Sequence, residues 1–253
     1  MSWIITGEQV NPAGDAQITY GITSTGGVFN LRSTGTVDYE VEWGDGTVER
    51  STSNTLAHTY AAGSYVLKIR TTQQYVPYFS NSTDEDQITS VALVSDLDVG
   101  TDLTSAWYGA NNMTTFDAAF GVTTGVINFT NTWLNCPSLT SFPLIDTSSG
   151  TTFNSAWFIC SNLTSFPANF FDSWTGTPAN NCFVNAWGNC TSLTATSVEN
   201  ILNSIDTSLQ SAPASGVDIT IDYNAASGTP DISTAVSNLK SRGWTITLNG
   251  VLQ

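Results

Sequence analysis

The stretch FNSAWFICSNLTSFP, Phe153–Pro167, determines how the fold of this chain is interpreted. Its apolar side chains recur at every third residue among Ser, Thr and Asn. Such spacing fits one face of a helix, a metal-binding loop or one unit of a repeat. Pro, Gly and Thr-Ser runs on either side of it disfavour a long helix. The remainder of the chain favours the repeat, because the same pattern recurs in phase.

The pattern occurs four times when the chain is aligned on tryptophan. An apolar residue stands four positions before each Trp, a small residue three positions after it, and Met or Leu six positions after it. The aligned sets are Trp107, Trp133, Trp157 and Trp187; Leu103, Phe129, Phe153 and Phe183; Ala110, Cys136, Cys160 and Cys190; and Met113, Leu139, Leu163 and Leu193. A unit of this length cannot bury its apolar row alone, so we expect like side chains to stack as ladders. The pattern thus predicts a solenoid over residues 88–195, with a short helical turn around each Trp and a short strand at each LTSFP.

The repeat resembles that of a known family. Its form Trp-x-x-Cys-x-x-Leu-x-x-Phe-Pro is similar to the repeat of BspA-like leucine-rich-repeat surface proteins, with Trp where that family usually has Phe. The phrases LTSFPLIDTSSGT and LTSFPANFFDS, with SVENILNSIDTS and LKSRGWTITLNG, resemble repeat proteins encoded by tailed bacteriophages, notably marine ones. The resemblance covers roughly residues 88–200. It implies a leucine-rich-repeat-like solenoid and a role as a virion or appendage component.

The N-terminal third has the alternation of β-strands. Residues 17–33 alternate apolar and polar around Gly-Gly, which predicts a strand, a turn and a strand. Asp45-Gly46 is a tight-turn signal between two further strands. The combination of WGDGT, HTY and G-x-Y-V-x-x-I resembles the PKD domain, a small immunoglobulin-like β-sandwich that serves as a spacer or as a protein- or glycan-contact module. We therefore predict a PKD-like β-sandwich over residues 1–75 and a linker over residues 76–87.

The C-terminal part, residues 196–253, predicts an α/β cap. Thr196 and Glu199 have the spacing of a capping box at the start of a helix. The strand VDITIDY, a second helix over residues 231–242 and the strand WTITL follow. Such a piece would close the open apolar end of the repeats. The predicted fold class is therefore mainly β with short helices: an immunoglobulin-like β-sandwich, then a leucine-rich-repeat-like solenoid with an α/β C-terminal cap.

Charge excludes several classes of partner. Six Lys and Arg residues face 21 Asp and Glu residues, for a net charge of −15. A nucleic-acid groove needs clustered cations, so nucleic acid is not a predicted partner. No apolar run approaches a membrane span, so no membrane insertion is predicted. The start of the sequence has no signal-peptide pattern, and we expect neither export by an ordinary signal nor anchoring, although a chain trimmed of its signal would look the same.

Candidate metal and catalytic residues do not form a motif. The four Cys residues lack a Cys-x-x-Cys pair and His58 is the lone His, which argues against zinc. Free buried thiols are the favoured interpretation, ahead of a disulfide between stacked units. Acidic clusters at residues 84–86 and at Asp96, Asp98 and Asp102 lack calcium-loop spacing and are interpreted as solvated loop acids. We predict no catalytic residue, no metal and no cofactor.

A polar row on the short strands is the candidate contact surface, because stacked repeats form extended binding faces. It consists of Ser90, Thr115, Asp117, Ser141, Pro143, Ser165 and Pro167. The tryptophans could instead form a platform for sugar rings, but a buried ladder is favoured, since Trp replaces a usually buried Phe.

The predicted function is that of a non-enzymatic phage virion protein, structural or adhesive, in a decoration, fibre or tail-associated role. Expected partners are other virion proteins or a host surface protein or glycan, and a homo-oligomer is compatible with the sequence. The expected location is the virion, assembled in the host cytoplasm. The alternatives are a bacterial cell-surface adhesin and a polysaccharide-degrading tail spike, in which scattered acids would be the catalytic groups.

Overall fold

A computed structural model describes residues 18–35, 37–71, 73–79, 83–94 and 97–253. This part of the chain is mainly β, with a seven-stranded sheet, a three-stranded sheet and two short α-helices. The strands are β1 (Ile18–Thr34), β2 (Tyr39–Glu42), β3 (Val48–Ser51), β4 (Thr55–Thr71), β5 (Val76–Pro77), β6 (Ile88–Leu93), β7 (Thr115–Ala118), β8 (Asp218–Ile221), β9 (Thr245–Leu248) and β10 (Val251–Leu252). The helices are α1 (Ala195–Thr207) and α2 (Ser233–Ser241). The first 17 residues of the predicted sandwich lie outside the described residues.

Two long strands organise the larger sheet. β1 and β4 pair antiparallel from Ile18 opposite Ile69 to Arg32 opposite Thr55. β2 and β3 extend the sheet beyond β4, while β6 pairs antiparallel with the other edge of β1 and β7 pairs parallel with β6. Buried residues alternate with partly exposed ones at both ends of β1, as expected for a strand with one face on a core.

The turn predicted at Gly26-Gly27 is wrong, because β1 runs through both glycines. Their φ angles of 100° and 137° absorb a local irregularity that a residue with a Cβ would resist. Pairing with the equally long β4 skips Gly26 and resumes in the same register at Gly27, opposite Tyr60. Long-range pairing therefore overrides the local turn signal.

The predicted fold class of a β-sandwich followed by a leucine-rich-repeat-like solenoid is wrong. Strands from the N-terminal part and strands β6 and β7 form one seven-stranded sheet, so β6 and β7 of the predicted solenoid continue the sheet of the predicted sandwich. No leucine-rich-repeat solenoid is indicated in the described residues: of the strands expected at successive repeats, β7 forms and the later positions contribute isolated bridges such as Ser141 with Ser165. Pro143 and Pro167 cannot donate to a strand ladder, which is one physical reason.

The short helical turn predicted around each Trp is also wrong. We call residues 103–113, 129–139, 153–163 and 183–193 the tryptophan turns. In each, the residues two before and two after Trp adopt left-handed φ angles between 52° and 80°: Ser105, Gly109, Asn131, Asn135, Ser155, Ile159, Asn185 and Asn189. A right-handed helical turn needs φ near −60°, so it cannot run through these positions, which Asn and Gly tolerate best. Successive turns are instead joined by parallel hydrogen bonds, as from the Trp107 N–H to the Thr132 carbonyl (2.9 Å) and from the Trp133 N–H to the Ala156 carbonyl (2.9 Å).

Ile159 is the β-branched residue among these left-handed positions, with φ of 64°. A β-branched side chain is strained there, whereas Asn, which stands at the matching Asn135 and Asn189, is not. We expect Ile159→Asn to raise the free energy of unfolding by about 1 kcal/mol. Urea denaturation measures the change. Ile127→Asn is the matched control: Ile127 is 45% exposed, and we expect a change within about 0.5 kcal/mol. Equal effects of the two substitutions would contradict the strain.

The predicted tight turn at Asp45-Gly46 is confirmed. The Trp43 N–H donates to the Thr47 carbonyl (3.0 Å) between β2 and β3. Asp45 Oδ1 accepts from the Thr47 N–H (3.0 Å) and hydroxyl (2.6 Å), and Oδ2 lies 2.7 Å from His58 Nε2. The His58 ring stacks on Trp43 with centroids 4.5 Å apart. Asp45 therefore ties the turn to β4.

These contacts lower the pKa of the Asp45 carboxyl to about 2, chiefly through the Thr47 hydroxyl and then the Thr47 N–H. A folded-state pKa below the unfolded value stabilises the protein above about pH 4, and this contribution is lost as pH falls toward 2. We expect Asp45→Asn to cost about 1 kcal/mol at pH 7, a modest value because the turn is at the surface. Urea midpoints at pH 7, 4 and 2.5 measure it. The wild-type advantage should shrink at pH 2.5, and a constant difference across the three pH values would contradict the assignment.

The C-terminal part packs α1 and α2 beside a sheet in which β8 is parallel to β9 and β10 is antiparallel to it. The predicted capping box at Thr196 is wrong: the N-cap is Thr194, whose hydroxyl accepts from the Ser197 N–H. Glu199 instead accepts from the Asp231 N–H (2.8 Å) and so joins α1 to the segment before α2. Gly243, at φ of 91°, follows α2.

Candidate contact face and the tryptophan stack

The four tryptophans of the repeat stack on one another in the core. Ring centroids lie 5.9 Å apart between Trp107 and Trp133, 5.5 Å between Trp133 and Trp157, and 5.2 Å between Trp157 and Trp187. The interplanar angles are 16°, 8° and 7°, and all four side chains are fully buried. Buried rings cannot receive a sugar, so the alternative of a carbohydrate platform on these residues is wrong.

Two rows of phenylalanine flank the tryptophans. Phe116, Phe142 and Phe166 stack with centroids 5.4 Å and 5.8 Å apart, and Phe129, Phe153 and Phe183 stack at 5.0 Å and 5.5 Å. The first row also meets the tryptophans edge to face, as between Trp133 and Phe142 at 4.7 Å. Parallel stacking within each row and edge-to-face contacts between rows together give a closely packed aromatic interior.

Three of the cysteines form a further row, with one thiol in each of the last three tryptophan turns. Cys136 donates its thiol to the Trp107 carbonyl (3.3 Å), Cys160 to the Trp133 carbonyl (3.2 Å) and Cys190 to the Trp157 carbonyl (3.0 Å). All four cysteines, including Cys182, are free and buried. Burial raises the pKa of the Cys136 and Cys190 thiols well above the usual value and that of Cys182 to about 12. These thiols are small core residues, since a nucleophile or metal ligand needs the thiolate.

The predicted polar row occupies two paired segments. Ser90 lies opposite Thr115 in the β6–β7 pair, and Ser141 forms a bridge with Ser165. Thr115, Asp117, Ser141 and Ser165 are exposed, whereas Ser90, Pro143 and Pro167 are half-buried. Ser90 Oγ accepts from the Gly21 N–H (3.1 Å), which commits it to the sheet. The structure thus brings Thr115, Ser141 and Ser165 to the surface and leaves Ser90 half-buried.

A second row of threonines was missed by sequence reasoning. Thr114, Thr140 and Thr164 are exposed immediately before the polar row. The hydroxyls of Thr114 and Thr164 donate to the carbonyls of Thr89 (3.2 Å) and Thr140 (2.9 Å) on neighbouring turns. The recurring Leu-Thr-Ser or Met-Thr-Thr before each Phe was the available signal. We call Thr114, Thr115, Thr140, Ser141, Thr164 and Ser165 the contact face.

The interpretation of residues 84–86 as solvated loop acids is wrong for Asp84 and Glu85, which are buried, and the acidic residues have separate partners. Asp84 pairs with Arg32 Nη2 (3.1 Å) and accepts from the Asn30 N–H (3.0 Å), which anchors the segment before β6 to β1. Asp98 and Asp102 accept from the N–H groups of Gly100 and Thr104 in local turns, and Asp96 lies outside the described residues. The described ranges contain no group of three or more His, Cys, Asp or Glu side chains arranged to hold a metal ion.

The charges divide the chain into unequal parts. All six Lys and Arg residues lie at or before Arg70 or at and after Lys240, so every charged residue between them is acidic. The contact face itself is neutral. In the part of the chain that the structure describes, no helix combines the length and apolarity needed to cross a membrane.

Comparison with known proteins adds no assignment to this geometry. No protein-family model matches the chain, and neither a curated protein nor a solved structure does. Function is therefore inferred from the contact face and from the sequence resemblances given above.

Proposed function

We propose that the protein is a non-enzymatic structural or adhesive component of a tailed-bacteriophage particle, with the contact face binding other virion proteins or a host surface protein or glycan. One observation carries the proposal: an exposed face of neutral hydroxyls lies directly over a stacked aromatic interior. The likeness of LTSFPLIDTSSGT and LTSFPANFFDS to phage-encoded repeat proteins supports placing it on a virion.

The physical argument concerns the cost of making a contact. Ser and Thr lose little side-chain entropy when a partner immobilises them, and a neutral hydroxyl is easier to desolvate than a charge. The Thr114 and Thr164 hydroxyls donate within the protein and can still accept, and the Ser141 and Ser165 hydroxyls can donate or accept, so the same face suits a polar protein surface or a glycan. Ser141 and Ser165 each precede a buried phenylalanine, and these two phenylalanines, Phe142 and Phe166, stack on each other, so we expect the backbone of the face to be ordered before binding.

The test begins by locating the protein with an antibody on purified particles by electron microscopy. A double variant, Ser141→Arg with Ser165→Arg, places two bulky cations on the contact face. We expect its incorporation into particles, or the binding of the purified protein to host cells, to fall by about tenfold or more. The matched control is Ser211→Arg with Ser237→Arg, which changes two exposed serines in the C-terminal part and should bind like wild type.

Unchanged binding of the contact-face variant, with a thermal melt equal to wild type, would overturn the proposal. Localisation to an anchored bacterial surface protein fraction instead of particles would support the adhesin alternative. Depolymerisation of purified host polysaccharide by the protein would overturn the non-enzymatic assignment.

A further inference from the structure

An exposed apolar pair stands out at the end of the contact face. Phe120 is 62% exposed and Leu144 is 40% exposed, although the repeat's phase-matched Phe and Trp side chains are buried. Phe120 follows Asp117 by three residues, and Leu144 directly follows Pro143. The pair is therefore continuous with the predicted polar row. Isolated apolar residues at a surface are ordinary, but here two adjoin one groove.

The groove has a volume of about 290 Å³. Phe120 and Leu144 form apolar walls, Ile145 and Phe170 add further apolar surface, and Asp146 and Asp172 contribute carboxylates. Small-molecule sites start near this volume and usually exceed it, so the space fits one or two side chains of a partner better than a whole organic ligand. Ile145 and Phe170, which line the groove, are held in place by packing. Both are buried, and Phe170 packs against Phe166 with ring centroids 4.7 Å apart.

The charge beside the groove is unbalanced. Asp146 accepts from the Ser148 N–H (2.9 Å) and the Thr124 hydroxyl (2.6 Å), which fixes its carboxylate in place. Asp172 is exposed, and partial desolvation raises its pKa. Among the described residues, neither carboxylate forms an ion pair, and the chain has no Lys or Arg between Arg70 and Lys240. A cation brought by a partner would therefore meet two carboxylates and no competing cation from this part of the chain.

We propose that this groove binds a segment of a partner protein that presents an apolar side chain flanked by Lys or Arg. The inference rests on the proposed contact function and specifies the chemistry of the partner. The apolar side chain covers Phe120 and Leu144 and removes their surface from water. The flanking cations pair with Asp146 and Asp172, which fixes the orientation of the segment and speeds its association. An acidic or purely polar segment would gain neither contact.

The test uses three capped hexapeptides as probes of isotopically labelled full-length protein in NMR titrations. Their sequences are Gly-Lys-Leu-Leu-Lys-Gly, the Glu analogue Gly-Glu-Leu-Leu-Glu-Gly and the Ser analogue Gly-Lys-Ser-Ser-Lys-Gly. We expect the Lys-Leu peptide to shift the amide signals of residues 120, 144–146 and 169–173, and the other two to bind at least about fivefold more weakly. Raising the salt concentration should weaken the Lys-Leu peptide selectively.

Variants separate the two kinds of contact. Asp146→Asn with Asp172→Asn should weaken the Lys-Leu peptide by roughly fivefold and abolish its preference over the Glu analogue. Phe120→Ser with Leu144→Ser should abolish binding of the peptide. Ile127→Ser is the matched control: it also removes a half-exposed apolar side chain, but Ile127 does not line the groove, and binding should be unchanged.

Three results of the peptide titrations would overturn the inference: equal binding of the Glu analogue, signal shifts confined to other residues, or no shift at millimolar peptide. Self-association in sedimentation velocity that Phe120→Ser abolishes, without peptide binding, would identify a second copy as the occupant and equally overturn it. If the peptide fails while Ser141→Arg with Ser165→Arg still abolishes particle or host binding, the groove inference alone falls. If that contact-face variant has no effect, the proposed function falls.

Discussion

Trp157→Ala is expected to lower the free energy of unfolding by about 4 kcal/mol. Trp157 is fully buried and stacks on Trp133 at 5.5 Å and on Trp187 at 5.2 Å. Its edge contacts with Phe166 at 5.1 Å and Phe170 at 5.7 Å would also be lost. Because both neighbours in the stack are themselves held by further rings, the site cannot collapse to fill the cavity, which places the cost at the upper end for such substitutions.

The conservative variant Trp157→Phe distinguishes a general need for aromatic volume from a need for the indole. Trp157 Nε1 is buried and has no hydrogen-bond partner among the described residues, so we expect no loss of a hydrogen bond and a cost of about 1 to 2 kcal/mol. Phe120→Ala is the surface comparison, expected within about 0.5 kcal/mol. Guanidinium denaturation measures all three. A Trp157→Ala cost no greater than that of Phe120→Ala would contradict the central place of the stack.

Sequence analysis located the side chains of the stack but not the backbone that carries them. Phase alone marks which residues repeat, and residues of equal phase in stacked units meet their counterparts. The same phase is compatible with a strand or with a turn that contains left-handed residues. The recurrent Asn or Ser two positions before Trp, at Asn131, Ser155 and Asn185, was a usable signal for the turn, because Asn in particular favours left-handed φ. Two positions after Trp, Gly109, Asn135 and Asn189 follow the same preference, but Ile159 does not, and no local pattern predicts its left-handed φ.

In the N-terminal part, alternation predicted strand residues and the Asp45-Gly46 turn between β2 and β3, but neither the run of β1 through Gly26-Gly27 nor its pairing with β6. The alternating pattern that flanks Gly26-Gly27 is that of any half-buried strand, and it contains no information on which strand pairs with each edge of β1. The predicted linker over residues 76–87 likewise makes long-range contacts that its sequence does not indicate. Its Asp84 reaches Arg32 and Asn30, a contact across more than fifty residues that composition does not reveal.

Sequence analysis also identified only part of the candidate site. The hydroxyls of Thr115, Ser141 and Ser165 were found because they share a repeat phase, and the neighbouring threonines were missed although they share one too. The groove at Phe120 and Leu144 was not foreseen, since an apolar residue beside a strand is normally assigned to a core. Only the three-dimensional structure shows which apolar residues lie outside the core.

Gly176→Ala is expected to cost about 3 kcal/mol or more, or to prevent folding. A Cβ at position 176 would lie 1.9 Å from the Gly150 carbonyl oxygen and 2.8 Å from that of Ser149. These are backbone atoms, so no change of rotamer relieves the clash. Moving Gly150 would also break the hydrogen bond that its carbonyl accepts from Trp174 Nε1 (2.5 Å). The buried Trp174 indole would then lose its hydrogen-bond partner. The Gly176 N–H, which donates to the Ser148 carbonyl (3.0 Å), holds the two loops at this distance.

Gly125→Ala separates close approach from backbone conformation. Gly125 has φ of 88° and open space around its would-be Cβ, so Ala there experiences conformational strain without a clash, and we expect a cost of about 1 kcal/mol. Thermal and urea unfolding of both variants, with near-ultraviolet circular dichroism to monitor the tryptophans, measures the difference. If Gly176→Ala costs no more than Gly125→Ala, the loops at residues 147–150 and 172–176 can separate without penalty, and the aromatic interior does not depend on their contact.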